Sequence, residues 1–96
     1  MVDVDQPLDC PTAKRLMRKA LDDGVVAFTK HAEEELTEDD LTMVDCVNVL
    51  RAGIVEPPEM QNGSWRYRVT TSRICVVVVF RSETKIVVVT AWRRSA

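Results

Sequence analysis

The chain has 96 residues, 46% of them apolar, 29% charged and only seven Gly or Pro, which leaves room for one core in a single domain over 1–96 and excludes a disordered or collagen-like chain. No apolar run approaches the roughly 20 residues that span a bilayer, and Asp3 and Asp5 stand where a secretory leader carries basic residues, so a soluble cytoplasmic protein without membrane contact is expected. The net charge of -2 divides unevenly: residues 1–51 hold six Lys or Arg against twelve Asp or Glu, whereas residues 52–96 hold seven against three, a split that suits a polyanion-binding half and equally suits mutual neutralisation across the fold.

Residues 1–10 are acidic and aperiodic and read as a loose arm. Ala13, Leu16, Met17, Ala20 and Leu21 then recur at helical spacing, with Pro11 suited to the first turn and Gly24 to the stop, so a helix is predicted over 11–23. Val25 to Phe28 reads as one strand. Thr29 offers a cap for a short helix over Lys30 to Leu36, and Thr37-Glu-Asp-Asp40 resembles a capping box for a second helix over 38–51, ended by Gly53. Beyond Gly53 the period shifts from 3.6 to 2. Ile54 to Glu56, Trp65 to Val69, Ile74 to Phe80 and Ile86 to Ala91 form four predicted strands, with Asn62-Gly63 marking a turn. The predicted fold is α+β: N-terminal helices packed on one face of a small antiparallel sheet, with the valines at 76–79 in a central strand.

Two-residue turns at Thr71-Ser72 and Glu83-Thr84 would put Arg68 opposite Cys75, Arg66 opposite Val77 and Arg81 opposite Ile86. Arg66, Arg68, Arg81, Thr90 and Trp92 then emerge on one side of the sheet. Trp65, Tyr67, Val69, Ile74, Val76, Val78, Phe80, Val87 and Val89 lie on the other, the side for the helices. Guanidinium groups bind phosphate through charge-assisted hydrogen bonds and an indole stacks on an unpaired base, which is the chemistry of a single-stranded RNA surface. The same arginines also fit an ordinary solubilising face. His31 is the single histidine, the residue type suited to proton transfer near neutral pH, and Glu35 lies one helical turn on, where it can orient the ring. Two ligands without a third make no metal site. Cys10, Cys46 and Cys75 have no metal or redox spacing and are expected to pack as reduced thiols.

Phe28-Thr-Lys-His-Ala32, Val47-Asn-Val-Leu-Arg-Ala-Gly53, Ile54-Val-Glu-Pro57, Trp65-Arg-Tyr-Arg-Val69 and Val88-Val-Thr-Ala-Trp-Arg93 together resemble a family of small domains that open on a His-Ala-x-x-Arg helix and close on a Val-Thr-x-aromatic strand. That family looks like a branch of the RelE/MqsR-like toxins, and the likeness covers about residues 25–93. The resemblance implies helices on a small antiparallel sheet and a metal-independent endoribonuclease of a toxin–antitoxin pair, without a cofactor, acting on messenger RNA, in many relatives at the ribosome, and partnered by an antitoxin protein. Position by position His31 matches the family histidine, Arg66 and Arg68 its strand arginines, and Trp92-Arg93 its terminal aromatic-basic pair; joined to the basic sheet face, this makes His31, Arg66 and Arg68 the candidate catalytic residues, with His31 for proton transfer, and Arg81, Thr90, Trp92 and Arg93 the candidate RNA-binding ones. The family's Arg four residues after the His is Glu35 here. A non-catalytic module docking a protein segment on the same basic face is the alternative.

Overall fold

A computed structural model describes residues 2–94. Helix α1 (Cys10–Asp23) starts at the Asp9 side chain, which accepts a hydrogen bond from the Thr12 N–H at 2.8 Å, and carries Pro11 in its first turn. It stops at Gly24, whose N–H reaches Ala20 O; a Cβ there would stand 2.0 Å from the Thr84 carbonyl oxygen, so only glycine lets the helix end approach that turn. Strand β1 (Val25–Phe28) follows, then α2 (Lys30–Glu38), capped by Thr29, which accepts from the Ala32 N–H at 3.0 Å.

Here the structure corrects the predicted boundary. Thr37 lies inside α2, its hydroxyl donating to Glu33 O, and the second capping box is made five residues later, at Thr42 and Asp45, which open α3 (Met43–Ala52). Both Thr37 and Thr42 stand three residues before an acid, so local sequence does not separate them. Leu41 does: it is buried in the core, and the chain turns through Asp40, at φ 54°, to put it there.

The sheet continues with β2 (Ile54–Val55), β3 (Glu59–Gln61), β4 (Ser64–Thr70), β5 (Ile74–Ser82) and β6 (Lys85–Arg93), in the order β1-β6-β5-β4-β2, with β3 also pairing β4. All pairs are antiparallel except β1 with β6. The short, exposed β3 was not among the predicted strands; it forms because Asn62 and Gly63, at φ 52° and 80°, make the left-handed hairpin turn that such a pair favours. β5 is central, as its valines require, and Cys75 to Phe80 are all buried.

Register decides what each face carries. The β4–β5 connection is longer than two residues: Thr71 accepts from the N–H groups of Arg73 and Ile74, and Arg68 pairs with Val77 instead of Cys75. A slip of two residues preserves the faces. Between β5 and β6 the pairing matches expectation at Val77↔Thr90 and Cys75↔Trp92, but irregularities at Val77/Val78 and Phe80/Ser82 put Phe80, not Arg81, opposite Ile86. Ile86 and Val88 therefore join the helix-side core with Tyr67, Val69, Val76, Val78 and Phe80, against Leu16, Met17, Cys46 and Leu50 of the helices. Val87 instead pairs with Val79 and Val89 lines the opposite face, contrary to their predicted placement. The arm is also not loose: Leu8 is buried and its N–H donates to the Tyr67 hydroxyl at 2.9 Å, while the Trp65 indole N–H reaches Asp5 O. Among the described residues no helix is long and apolar enough to cross a membrane.

Candidate functional site

Past residue 88, β6 loses β1 as its neighbour and α2 takes the vacated edge. The Thr29 N–H donates to Val88 O and its hydroxyl to Val89 O, which aligns the start of α2 with the second half of β6. Ala32 and Leu36 on α2 turn into the core. His31 and Glu35, one turn apart, turn toward Thr90: His31 Nε2 lies 3.1 Å from Glu35 Oε1, and the Thr90 hydroxyl donates to the same oxygen. The imidazole is 70% exposed and the carboxylate only 25%, so a sheltered acceptor fixes an accessible ring.

Across the sheet from this pair, one row of neighbours runs from Thr90 through Val77 to Arg68, and the Glu56 N–H bonds Arg68 O at 2.9 Å to extend the row. The row on one side of it holds Trp92 and Cys75; the row on the other holds Arg66 with Glu59 opposite. His31, Arg66, Arg68, Thr90 and Trp92 thereby converge on one cleft of about 260 Å³, with Val77 and Val89 in its lining and Glu56, Pro57, Glu59 and Gln61 along its far wall. Among the described residues neither Arg66 nor Arg68 has a carboxylate within 4.0 Å, and the buried Arg66 Nε has no hydrogen-bond partner. Two cations are thus held beside an accessible imidazole with donors to spare.

Two of the predicted site residues stand elsewhere. The irregularity in β5 sends Arg81 to a separate hollow with Asp5, Trp65 and Phe80. Arg93 closes the end of α2: its N–H donates to Asp39 Oδ2 at 2.8 Å, Nε to Asp39 O and Nη2 to Asp40 O at 3.1 Å, so two of the guanidinium donors go to the carbonyls that follow the helix, and the residue is not among those lining the cleft. Four wall residues, Glu56, Pro57, Glu59 and Gln61, were absent from the sequence-derived set. A signal for two of them existed, because a two-residue turn at Asn62-Gly63 sets Gln61 opposite Ser64 and Glu59 opposite Arg66. Cys75 is buried and does not line the cleft; burial pushes its thiol upward, Arg68 and Arg94 pull the other way and Glu56 adds to the rise. Among the described residues no group of three or more His, Cys, Asp or Glu is gathered as a metal cage.

No curated protein and no solved structure matches the chain. A family model does, over residues 28–93, a span that starts at the last residue of β1, omits α1 and contains every residue lining the cleft. By that match the chain belongs to the family described as a domain of unknown function, DUF4258.

Proposed function

We propose that the protein is a metal-independent endoribonuclease, the toxin of a toxin–antitoxin pair, acting on single-stranded RNA and in the cell on messenger RNA. The observation that carries this reading is the accessible imidazole of His31, steadied by Glu35, on the same cleft as two guanidinium groups without carboxylate partners. The resemblance to the RelE/MqsR-like toxins supports it from the sequence side.

RNA contains its own nucleophile. The 2′-oxygen attacks the adjacent phosphorus, a P–O bond forms to it, the P–O5′ bond breaks, and the products are a 2′,3′-cyclic phosphate and a 5′-hydroxyl. One proton must leave the 2′-hydroxyl and one must reach the departing 5′-oxygen. With Nε2 directed at Glu35, Nδ1 is the His31 nitrogen left to take the first proton. Arg66 and Arg68 supply fixed donors where charge grows on the phosphoryl oxygens, and the Trp92 indole offers a stacking surface. Solvent at the exposed cleft mouth serves the leaving oxygen.

The test is cleavage of a single-stranded RNA by purified protein, alone and with ribosomes, with the ends mapped. Cyclic phosphate and 5′-hydroxyl ends are expected, together with growth arrest on expression. His31→Ala lowers the rate by about 10²-fold or more and relieves the arrest without altering the melting temperature. Growth arrest with intact RNA would favour the alternative, a non-catalytic protein-binding module; equal cleavage by wild type and His31→Ala would remove the assigned chemistry.

A further inference from the structure

The cleft carries both signs of charge, and its carboxylates extend beyond the Glu35 that steadies His31. Glu56 and Arg68 are neighbours across a backbone hydrogen bond of 2.9 Å, and Glu59 is directly opposite Arg66 in the β3–β4 pair. A carboxylate with no part in proton transfer would only repel a phosphate, and His31 with Glu35 holds that task in the proposed mechanism. If Glu56 and Glu59 served only to neutralise the arginines they would close on them, but no such ion pair forms within 4.0 Å among the described residues. The far wall therefore presents carboxylate acceptors to the ligand itself, beside cations that suit its phosphate.

We propose that the cleft selects guanine in the bound strand, with the Glu56 carboxylate accepting from the base and Trp92 stacking on it. The inference rests on the RNA-binding part of the proposed function and not on bond cleavage. Glu56 and Trp92 stand in adjacent rows, three strand spacings or about 15 Å apart at the backbone, and both line the cleft, with the buried Val77 between them. Glu59 lies a further row away, level with Arg66. Guanine alone presents two adjacent donors, N1–H and the exocyclic N2 amino group, matching the two oxygens of a carboxylate. Adenine and cytosine set a donor beside a ring acceptor, and uracil places its one donor between two carbonyls; in each case a carboxylate oxygen meets a lone pair.

The experiment is calorimetric titration of the full chain with 3′-GMP, 3′-AMP, 3′-CMP and 3′-UMP, which need no bond to break. Binding of 3′-GMP about tenfold or more tighter than the others is expected from a bidentate contact. Glu56→Gln, an exposed change that replaces one acceptor with a donor, abolishes that preference while 3′-AMP binding is retained or improved. Equal binding of all four nucleotides, binding of none, or a preference that survives Glu56→Gln each overturns the inference. RNA cleavage without base preference would sink this proposal and spare the nuclease; selective 3′-GMP binding without RNA cleavage would do the reverse.

Discussion

On one side of β5, Val76, Val78 and Phe80 belong to the core built with α1 and α3; on the other, Cys75, Val77 and Val79 are also buried, at 2–5% exposure, yet lie outside that helix-packed cluster. Their cross-strand neighbours there are Arg68, Thr70, Val87, Thr90 and Trp92, with Arg66 one row on from Arg68. Long side chains lay their carbon stems over apolar floor and leave their polar heads outward. The two faces are therefore dry by different means, and the means determine what remains for function. A face closed by helices has nothing left to bind with, whereas a face roofed by arginine stems keeps its guanidinium groups.

Stability and chemistry should therefore separate by face. The largest effect belongs to the helix side: Leu16→Ala, at a fully buried position of α1, should cost about 2–5 kcal/mol, a large part of the stability of a small domain. Chemical denaturation measures it, and cleavage per folded molecule should be unchanged. Arg68→Ala on the exposed roof should do the opposite, lowering cleavage by about 10²-fold while costing only the cover its stem gives Val77, about 1 kcal/mol of stability. Arg93 sharpens the contrast, because both residues are exposed arginines of neighbouring sequence motifs. Arg93→Ala should cost about 1 kcal/mol of stability through the lost bonds to the end of α2 and leave the cleavage rate alone. An Arg93 variant with a large kinetic defect and normal stability would return that residue to the substrate site.

Much of this architecture is legible in the sequence. Period-2 alternation and runs of β-branched residues locate β4, β5 and β6, and the valine run requires a central strand. The face shared by Arg66, Arg68, Thr90 and Trp92 is legible too, even though the assumed β4–β5 turn is too short, because a two-residue slip leaves alternation intact. Arg81 and Val87 do not survive the same treatment. An irregularity of one residue reverses the face of every later residue in the strand, and nothing in the sequence marks where Val89 and Arg81 break the ladder. Glu56 is invisible for another reason: its place beside Arg68 depends on β2 returning to the far edge of β4, a long-range pairing that local pattern does not encode. Arg93 reads as one half of an aromatic-basic pair, while its actual partners, Asp39 and Asp40, lie more than fifty residues away.

The smallest predicted effect comes from the thiols that sit on either face. Cys46, on α3 in the helix-side core, has its thiol pushed up to about 11, by burial first and by the neighbouring Asp45 charge second. Cys75, on the cleft side, is also raised by burial, but Arg68 opposes the shift. Both cysteines ionise more readily in the unfolded chain, so the stability they contribute is complete below the ordinary thiol range of about 8–9 and is lost as pH rises from there; for Cys46 the loss runs through about 11. The denaturation midpoint should therefore fall between pH 8 and pH 10.5, and Cys46→Ala should flatten that fall relative to its own value at pH 7. Iodoacetamide at pH 9 should label the half-buried Cys10 first, Cys75 next and Cys46 last. Arg68→Ala should slow Cys75 further by removing the charge that favours its thiolate, while Cys46 is untouched. A Cys75 rate that ignores Arg68 would mean the guanidinium swings clear of the floor in solution, and the arginine roof over that face of β5 would be open.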